Sequence, residues 1–414
     1  GPVFSNARKV LTMTKKHSKI EQTSLNDTSD NSNWNGVFAI SLCVFALIAS
    51  EFMPVSLLTP LAHDLGITEG TAGQGMTISG VFAVFTSLSI RRLAGTLNRK
   101  FLLLALTALM GLSAVLVALA PNYLIYMLGR AMIGVVIGGF WSMSVATAVR
   151  LVHISKVPRA LAVFNGGNAL ATVVAAPLGS YLTAAISWRG AFLCLVPVAI
   201  ITFVWQWISL PSMEPGKSGK TGSSVTSLLR KKNVAVGMCA AGIFFMGQFT
   251  LFTYIRPFLE NVTKVNSDAV TLILLLIGVA GLAGTTAIGF VIKNRLYQTL
   301  VGIPLVMASV AVILIPMGNN IPTVCVLLGL WGVLSTAAPV GWWSWVASAT
   351  ASDTESGGGL MVATVQFSIA LGSTVGGILF DQFGFQSTFA LSAGILIFSA
   401  ILTLWTSKLR TVPV

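Results

Sequence analysis

Two charged side chains stand inside long apolar stretches of this chain, Glu51 and Arg130. An unpaired charge in hydrocarbon costs at least ~2.5–3.5 kcal/mol, so such residues mark a pathway or a buried partner. Glu51 lies ten residues from one end of its apolar run, and Arg130 about seven from the corresponding end of its own. At the rise of an α-helix these are depths of ~15 Å and ~10 Å, about one turn apart, so the two can meet. Burial raises the proton affinity of a carboxylate in general, and a nearby guanidinium lowers it. Moving the arginine or admitting water would therefore load or unload a proton. Glu51 as proton carrier and Arg130 as its control is the chemistry expected here, with a structural ion pair as the alternative.

A second set of residues could line a cavity. Arg130 and Trp141 are eleven residues apart and share a helix face at 100° per residue. Trp331 and Trp342 are related in the same way, with Trp345 close by. Asn165, Asn168 and Thr172 fall at spacings of three and four, Phe245, Gln248 and Phe252 form one stripe, and Gln366 shares a face with Ser373. Aromatic planes with carboxamides between them suit a flat, neutral ligand that hydrogen-bonds along its edges. The expected ligand contacts are Trp141, Asn168, Gln248, Phe252, Trp342 and Gln366. For each aromatic alone, helix packing or lipid contact is the competing reading, with Trp343 and Trp345 as interfacial anchors. For the amides it is a hydrogen bond between helices.

The elements that must carry these residues follow from composition. Of 414 residues 55% are hydrophobic and only 9% charged, against about 25% charged in a soluble domain. That excludes a disordered chain, a coiled coil and a water-soluble enzyme. A membrane-crossing helix needs about 20 apolar residues. Six such runs precede a polar linker, over 36–61, 73–90, 101–120, 123–149, 160–186 and 190–210, and six follow it, over 234–255, 269–292, 298–317, 322–348, 358–379 and 387–406. The runs are continuous and not alternating, so the spans are helices and not barrel strands. The expected fold is an all-α membrane protein, with twelve transmembrane helices in two pseudo-symmetric six-helix bundles. Its parts are a mobile tail over 1–35, a first bundle over 36–210, a linker over 211–233, a second bundle over 234–406 and a short tail over 407–414.

Of 25 lysines and arginines, 21 fall in the tails, the linker and alternate loops, and Arg189, Arg256 and Lys264 fall on the opposite side. The richer side is expected to be cytoplasmic, with both termini there. Glu51 and Arg130 are then the only charges expected deep in spans. The pI of about 9.9 is explained by topology and anionic lipid, so no nucleic-acid partner is expected. Cys43, Cys194, Cys239 and Cys325 read as small packing residues. His17, His63 and His153 lie in the tail or at loops, so neither a metal site nor a cofactor is expected. One interior carboxylate with no interior histidine argues against an enzyme. The first methionine is Met13, and residues 1–12 are expected to be an addition ahead of it.

An internal duplication is expected from Ser187-Trp188-Arg189-Gly190-Ala191-Phe192 and Gly384-Phe385-Gln386-Ser387-Thr388-Phe389, which occupy corresponding places in the two halves. Small residues recur at Gly134 and Gly138, at Gly278, Gly281 and Gly284, and at Gly372 and Gly376. This spacing lets helices approach closely, for packing or for sliding.

Glu51-Phe52-Met53-Pro54-Val55-Ser56-Leu57-Leu58-Thr59-Pro60 resembles the twelve-helix drug:proton antiporter branch of the major facilitator superfamily. So do Gly129-Arg130-Ala131 with Gly134, and Ala175-Ala176-Pro177-Leu178-Gly179-Ser180. Longer stretches are similar to the family of bacterial proton-driven purine ribonucleoside efflux pumps: Glu51 to Gln74, Gly138 to Ser144, Phe252 to Pro257, and Pro339 to Trp342. The resemblance implies a carrier in the bacterial inner membrane that exports inosine or guanosine in exchange for protons, and a monomer is expected. Sugar and drug exporters of the branch share several of these motifs, so a multidrug or sugar:proton antiporter is the alternative. One departure is Asn98, which stands where the branch's loop between spans 2 and 3 usually carries an aspartate. That leaves a cytoplasmic gate salt bridge at that position in doubt.

Overall fold

The computed structural model describes residues 32–153, 156–214, 225–350 and 354–409. Most of the expected first tail, the middle of the linker and the last five residues lie outside the described residues. Twelve helices long and apolar enough to cross a membrane run through the rest: Trp34–Leu65, Glu69–Ile90, Arg99–Ala118, Tyr123–Ser144, Arg159–Ala185, Trp188–Ser209, Lys232–Thr263, Ser267–Ile292, Asn294–Met317, Ile321–Ala349, Gly357–Phe383 and Phe385–Lys408. They are called spans 1 to 12 below. An even number of spans leaves the start of span 1 and the end of span 12 on one face, the terminal face; the opposite is the far face.

Polar residues fix where the helices begin. Asn33, Thr68, Asn98, Asn122, Ser187, Asn266 and Asn320 each accept a bond from a first-turn N–H that has no helical partner. Gly66 ends span 1 in the left-handed region at φ 65°, where a side chain would be strained. Such caps carry the helices a few residues past the apolar runs, which is why span 1 reaches Leu65 and not 61.

Two connections differ from expectation. Spans 8 and 9 are two helices that meet directly at a kink at Arg295, with φ −137° and ψ 39°, so the connection between them is tighter than the expected loop over 293–297. Span 7 does not stop at residue 255. Its first helix, Lys232–Phe252, breaks at Thr253 and Tyr254, then continues through Ile255–Phe258 and a π-turn over Leu259–Thr263. Pro257 explains the break, because it has no N–H for the Thr253 carbonyl four residues earlier. Arg256 is consequently 3% exposed, enclosed by the two bundles. It is a third buried charge and not a loop residue.

The glycines show the duplication in packing. Gly134 and Gly138 of span 4 lie against the backbone of Ser79 and Ala83 in span 2; Gly284 of span 8 and Gly332 of span 10 meet the backbone of Val333 and Ile277 in the same way. Gly167 of span 5 sits on the Ser41 carbonyl of span 1, and Gly372 of span 11 on the Met246 carbonyl of span 7. Each pair of contacts relates a helix to its counterpart six spans later. Each bundle has its own apolar core, with Phe140 and Phe164 in the first and Trp331, Trp342, Phe244 and Phe389 in the second. Trp345 is 1% exposed in that second core, so it is not an interfacial anchor, whereas Trp343 is 46% exposed. Large apolar side chains such as Phe290, Leu124 and Val326 face outward, as a lipid-facing surface requires. All four cysteines are free.

Candidate functional site

Span 1 carries two prolines, Pro54 and Pro60, inside its helix. Each removes the donor from the carbonyl four residues earlier, so the oxygens of Ser50 and Ser56 lose their helical partners. A buried, unpaired carbonyl is costly, and each of these has an arginine. Arg130 of span 4 donates from Nη1 to Ser50 O at 2.7 Å and from Nη2 to Glu51 O at 2.8 Å. It also reaches Gly75 O at 3.4 Å and Met76 Sδ at 3.8 Å. Arg256 of span 7 donates from Nη1 to Ser56 O and to Ser180 Oγ, the latter at 3.3 Å. Its Nε is paired with Glu260 Oε1 at 2.5 Å. The first arginine belongs to the same bundle as span 1, the second to the other bundle.

Arg130 therefore meets Glu51 through the main chain and not through the carboxylate. The ion pairs among the described residues are Arg189 with Asp64 and Arg256 with Glu260. The Glu51 side chain is 2% exposed, and its Oε1 accepts a hydrogen bond from Gln366 Nε2 of span 11 at 3.2 Å. Glu51 and Gln366 both lie near the middle of their spans, so the bond crosses between bundles deep inside the protein.

A chain of aromatic rings starts at the residue after Glu51. Phe52 of span 1 stacks on Phe249 of span 7, with centroids 5.6 Å apart, and Phe249 meets Phe252 edge-on at 6.0 Å. Two amide oxygens nearby in the sequence pattern, Gln366 Oε1 and Gln248 Oε1, are buried without a partner. Buried acceptors in that condition favour a ligand that brings N–H or O–H donors.

The other expected contacts lie elsewhere. Trp141 is half-buried and edge-on to Phe140 at 6.1 Å. Asn168 is half-buried and its main-chain oxygen accepts from Thr172 Oγ1 at 2.9 Å, while Asn165 and Thr172 are exposed. Trp342 packs edge-on to Trp345 at 5.7 Å in the core of the second bundle. Among the described residues, no hydrogen bond or ring contact joins Trp141, Asn168 or Trp342 to Glu51 or Gln366.

Toward the far face the bundles are sewn together. Asp381 of span 11 accepts from Thr68 Oγ1 at 2.6 Å and from Gly70 N–H at 3.0 Å, so a carboxylate caps the start of span 2 across the seam. Thr77 bonds to Thr374 at 2.7 Å and to Ala370 O at 3.2 Å. Thr271 bonds to Ser180 at 2.7 Å, and Tyr254, lying against Gly73, donates to Ser373 O at 2.5 Å. Beyond this seam an open vestibule of about 820 Å³ is lined by residues that include His63, Asp64, Arg189 and Glu260. The far face is closed beneath that vestibule.

The model of the Major Facilitator Superfamily matches residues 40–358. The chain belongs to the major facilitator superfamily. It is 59% identical over 93% of its length, and 97% of the relative, to the transcription regulatory protein OpdE of Pseudomonas aeruginosa. It is 39% identical over 92% of its length, and 95% of the relative, to the purine ribonucleoside efflux pump NepI of Salmonella paratyphi B. Among solved structures, a bacterial homolog to the human lysosomal transporter Spinster, inward-facing and occupied, superposes with a TM-score of 0.71 at 12% identity, covering 91% of this chain and 98% of that one. That likeness shows the fold. Family and fold are those of membrane transporters, and the chain is a multi-pass membrane protein.

Within this superfamily member, sequence reasoning missed Arg256, Tyr254 and Phe52. Arg256 looked like a loop charge because the hydropathy count stops at it. The available signal was Pro60, since a proline inside a helix announces an orphan carbonyl and therefore a donor elsewhere.

Proposed function

We propose that the protein exports purine ribonucleosides such as inosine and guanosine across the bacterial inner membrane, as a monomer, in exchange for protons. The observation that carries this reading is the Glu51 carboxylate, buried near the middle of its span and bonded, among the described residues, only across the junction between the bundles. A proton held there changes a contact between the two parts that must rock against each other. The substrate class is supported by the NepI relative, by the Phe52, Phe249 and Phe252 rings, and by the orphan oxygens of Gln248 and Gln366. A purine offers a face to stack on, and its ring N–H and ribose hydroxyls offer donors.

The charge bias supports a cytoplasmic terminal face. The closed far face then makes this conformation one that loads from the cytoplasm. Substrate enters while Glu51 is charged, the bundles rock, and a proton from outside binds Glu51 as the substrate leaves. If the substrate is neutral, each inward proton carries a net charge worth ~2.3 kcal/mol per 100 mV.

The test is inosine-driven proton movement in proteoliposomes, with Glu51→Gln alongside. Counterflow in the wild type that is lost in the variant supports both substrate and coupling site. Uphill export unchanged in Glu51→Gln sinks the coupling role. Competition by lipophilic cations or sugars, with no inosine response, moves the substrate to the drug or sugar exporters of the same fold.

The more similar OpdE relative carries a transcription regulatory name, and this supports a second reading. A carrier alters transcription when it sets the internal concentration of a small effector. A regulator that works without flux would keep its effect on transcripts in a Glu51→Gln strain; one that works by export would lose it.

A further inference from the structure

The bond between Glu51 and Gln366 changes character with the proton. Glu51 Oε1 accepts from Gln366 Nε2 at 3.2 Å, and the amide's own oxygen is buried without a partner. A charged carboxylate can only accept, so it takes the amide N–H; a neutral acid has one O–H to give and is a poorer acceptor. Hydrogen bonds to an ionised group are roughly twice as strong as neutral ones. The charge-assisted bond between the bundles is therefore present only when Glu51 is charged and the site is empty.

Among the described residues, Gln366 is the one hydrogen-bond partner of the carboxylate. The charged group acting on Glu51 is Arg130, whose N–H groups serve the oxygens of Ser50, Glu51 and Gly75. Span 4 also brings the buried Tyr126, and span 2 brings Gly75 and Met76. Span 7 carries Tyr254, Arg256 and Glu260 toward the far face, and the charges of spans 3, 5 and 6 (Arg99, Lys100, Arg159 and Arg189) sit at helix ends.

Gln366 also stands at the inner end of the closed seam. Gly80 of span 2 packs on its main-chain oxygen, where an added Cβ would come within 2.7 Å, and the bonds from Thr77 to Ala370 and Thr374 follow one turn further out. Holding the amide holds the seam.

We propose that Gln366 is the positioning residue that keeps the empty, deprotonated carrier closed at the far face until a substrate donor or a proton takes the carboxylate from it. This rests on the proton-exchange reading above. Exchange stays coupled only if the carrier cannot reorient with neither ligand bound. A carrier that reorients both with and without its proton conducts protons down their gradient. A ligand that releases the lock must offer an N–H or O–H to Glu51, so a nucleoside stripped of its donors would bind without driving the turn.

The experiment imposes a pH gradient on proteoliposomes without substrate and follows its decay. Wild type should hold the gradient. Gln366→Leu, which keeps side-chain size but no hydrogen-bonding group, should dissipate it at least tenfold faster. Adding Glu51→Gln to that variant should restore tightness, because the leak runs through the carboxylate. Gln366→Asn, one methylene too short to reach Glu51, should also leak and serves if the leucine variant does not insert. Tight vesicles from both Gln366 variants overturn the lock, as does a leak that persists in the double variant. Substrate-driven proton movement by wild type in the same vesicles separates the two ideas. If neither inosine nor a lipophilic cation nor a sugar drives proton movement, the proton-exchange reading falls and the lock with it. If any of them does so beside tight Gln366 variants, only the lock falls.

Discussion

Arg256 of the second bundle donates to the main-chain oxygen of Ser56 in the first, the carbonyl that Pro60 leaves without a helical donor. A missing hydrogen bond in one helix thus becomes the docking point for the other half of the molecule. The same arrangement recurs within the first bundle, where Arg130 serves Ser50 O beneath Pro54. The internal contact stabilises the bundle, and the cross-bundle contact must part whenever the far face opens.

Arg256→Ala should therefore loosen the far face. A hydrogen bond to a charged group contributes ~1.5–3 kcal/mol, which is about tenfold or more in population. With the four native cysteines replaced, Ser180→Cys should react at least tenfold faster with a membrane-impermeant thiol reagent when Arg256 is alanine. Equal labelling rates would remove Arg256 from the gate.

Arg130→Ala should cost stability mainly by stranding the Ser50 carbonyl, a penalty of ~1–3 kcal/mol. Pro54→Ala returns the missing N–H to that oxygen. The double variant should then be more stable than Arg130→Ala alone, with a coupling of about 1 kcal/mol in a double-mutant cycle of thermal unfolding in detergent. Simple additivity would mean the arginine does not serve the proline's carbonyl.

A methyl group at Gly73 would fall 2.8 Å from Cζ of Tyr254, whose hydroxyl is bonded to Ser373 O. Gly73→Ala should displace the ring and open the same face, a change read by the same cysteine labelling at position 180. Gly166→Ala, with nothing within 4 Å, should leave labelling unchanged.

Asn98 caps span 3 through Lys100 N–H and also accepts from Met213 N–H, both at 3.0 Å, joining the loop after span 2 to the chain after span 6. Asn98→Ala should lower stability by ~1 kcal/mol. Asn98→Asp keeps both acceptor roles but loses the Nδ2 donations to Ser212 Oγ at 2.6 Å and Glu214 Oε1 at 3.4 Å and sets two carboxylates together, so it too should lower stability, as measured by thermal unfolding in detergent. The residue that departs from the branch's usual aspartate is thus one that can still perform its capping.

Periodicity and charge made the architecture legible. Twelve apolar runs, a polar linker after the sixth and buried charges at 51 and 130 can be read directly, because hydrocarbon tolerates few alternatives to a continuous helix. Candidate polar residues could be placed on helix faces, and Gln366 does bond to the Glu51 carboxylate. Trp342 was equally well spaced yet packs into a core, because spacing fixes the face of a helix but not which neighbour covers it.

What the sequence determined by itself is therefore local: helices, their caps, the two carbonyls that prolines leave without donors in span 1 and the presence of charges that need partners. Only the tertiary structure decided the partners. Arg130 turns to a backbone oxygen and not to the carboxylate, Glu51 reaches across to Gln366, and Arg256 leaves the expected loop to fill the gap made by Pro60. The physical reason is that a proline or a buried charge states a demand for a hydrogen bond. Which side chain meets it depends on how two bundles, far apart in sequence, come to lie against each other.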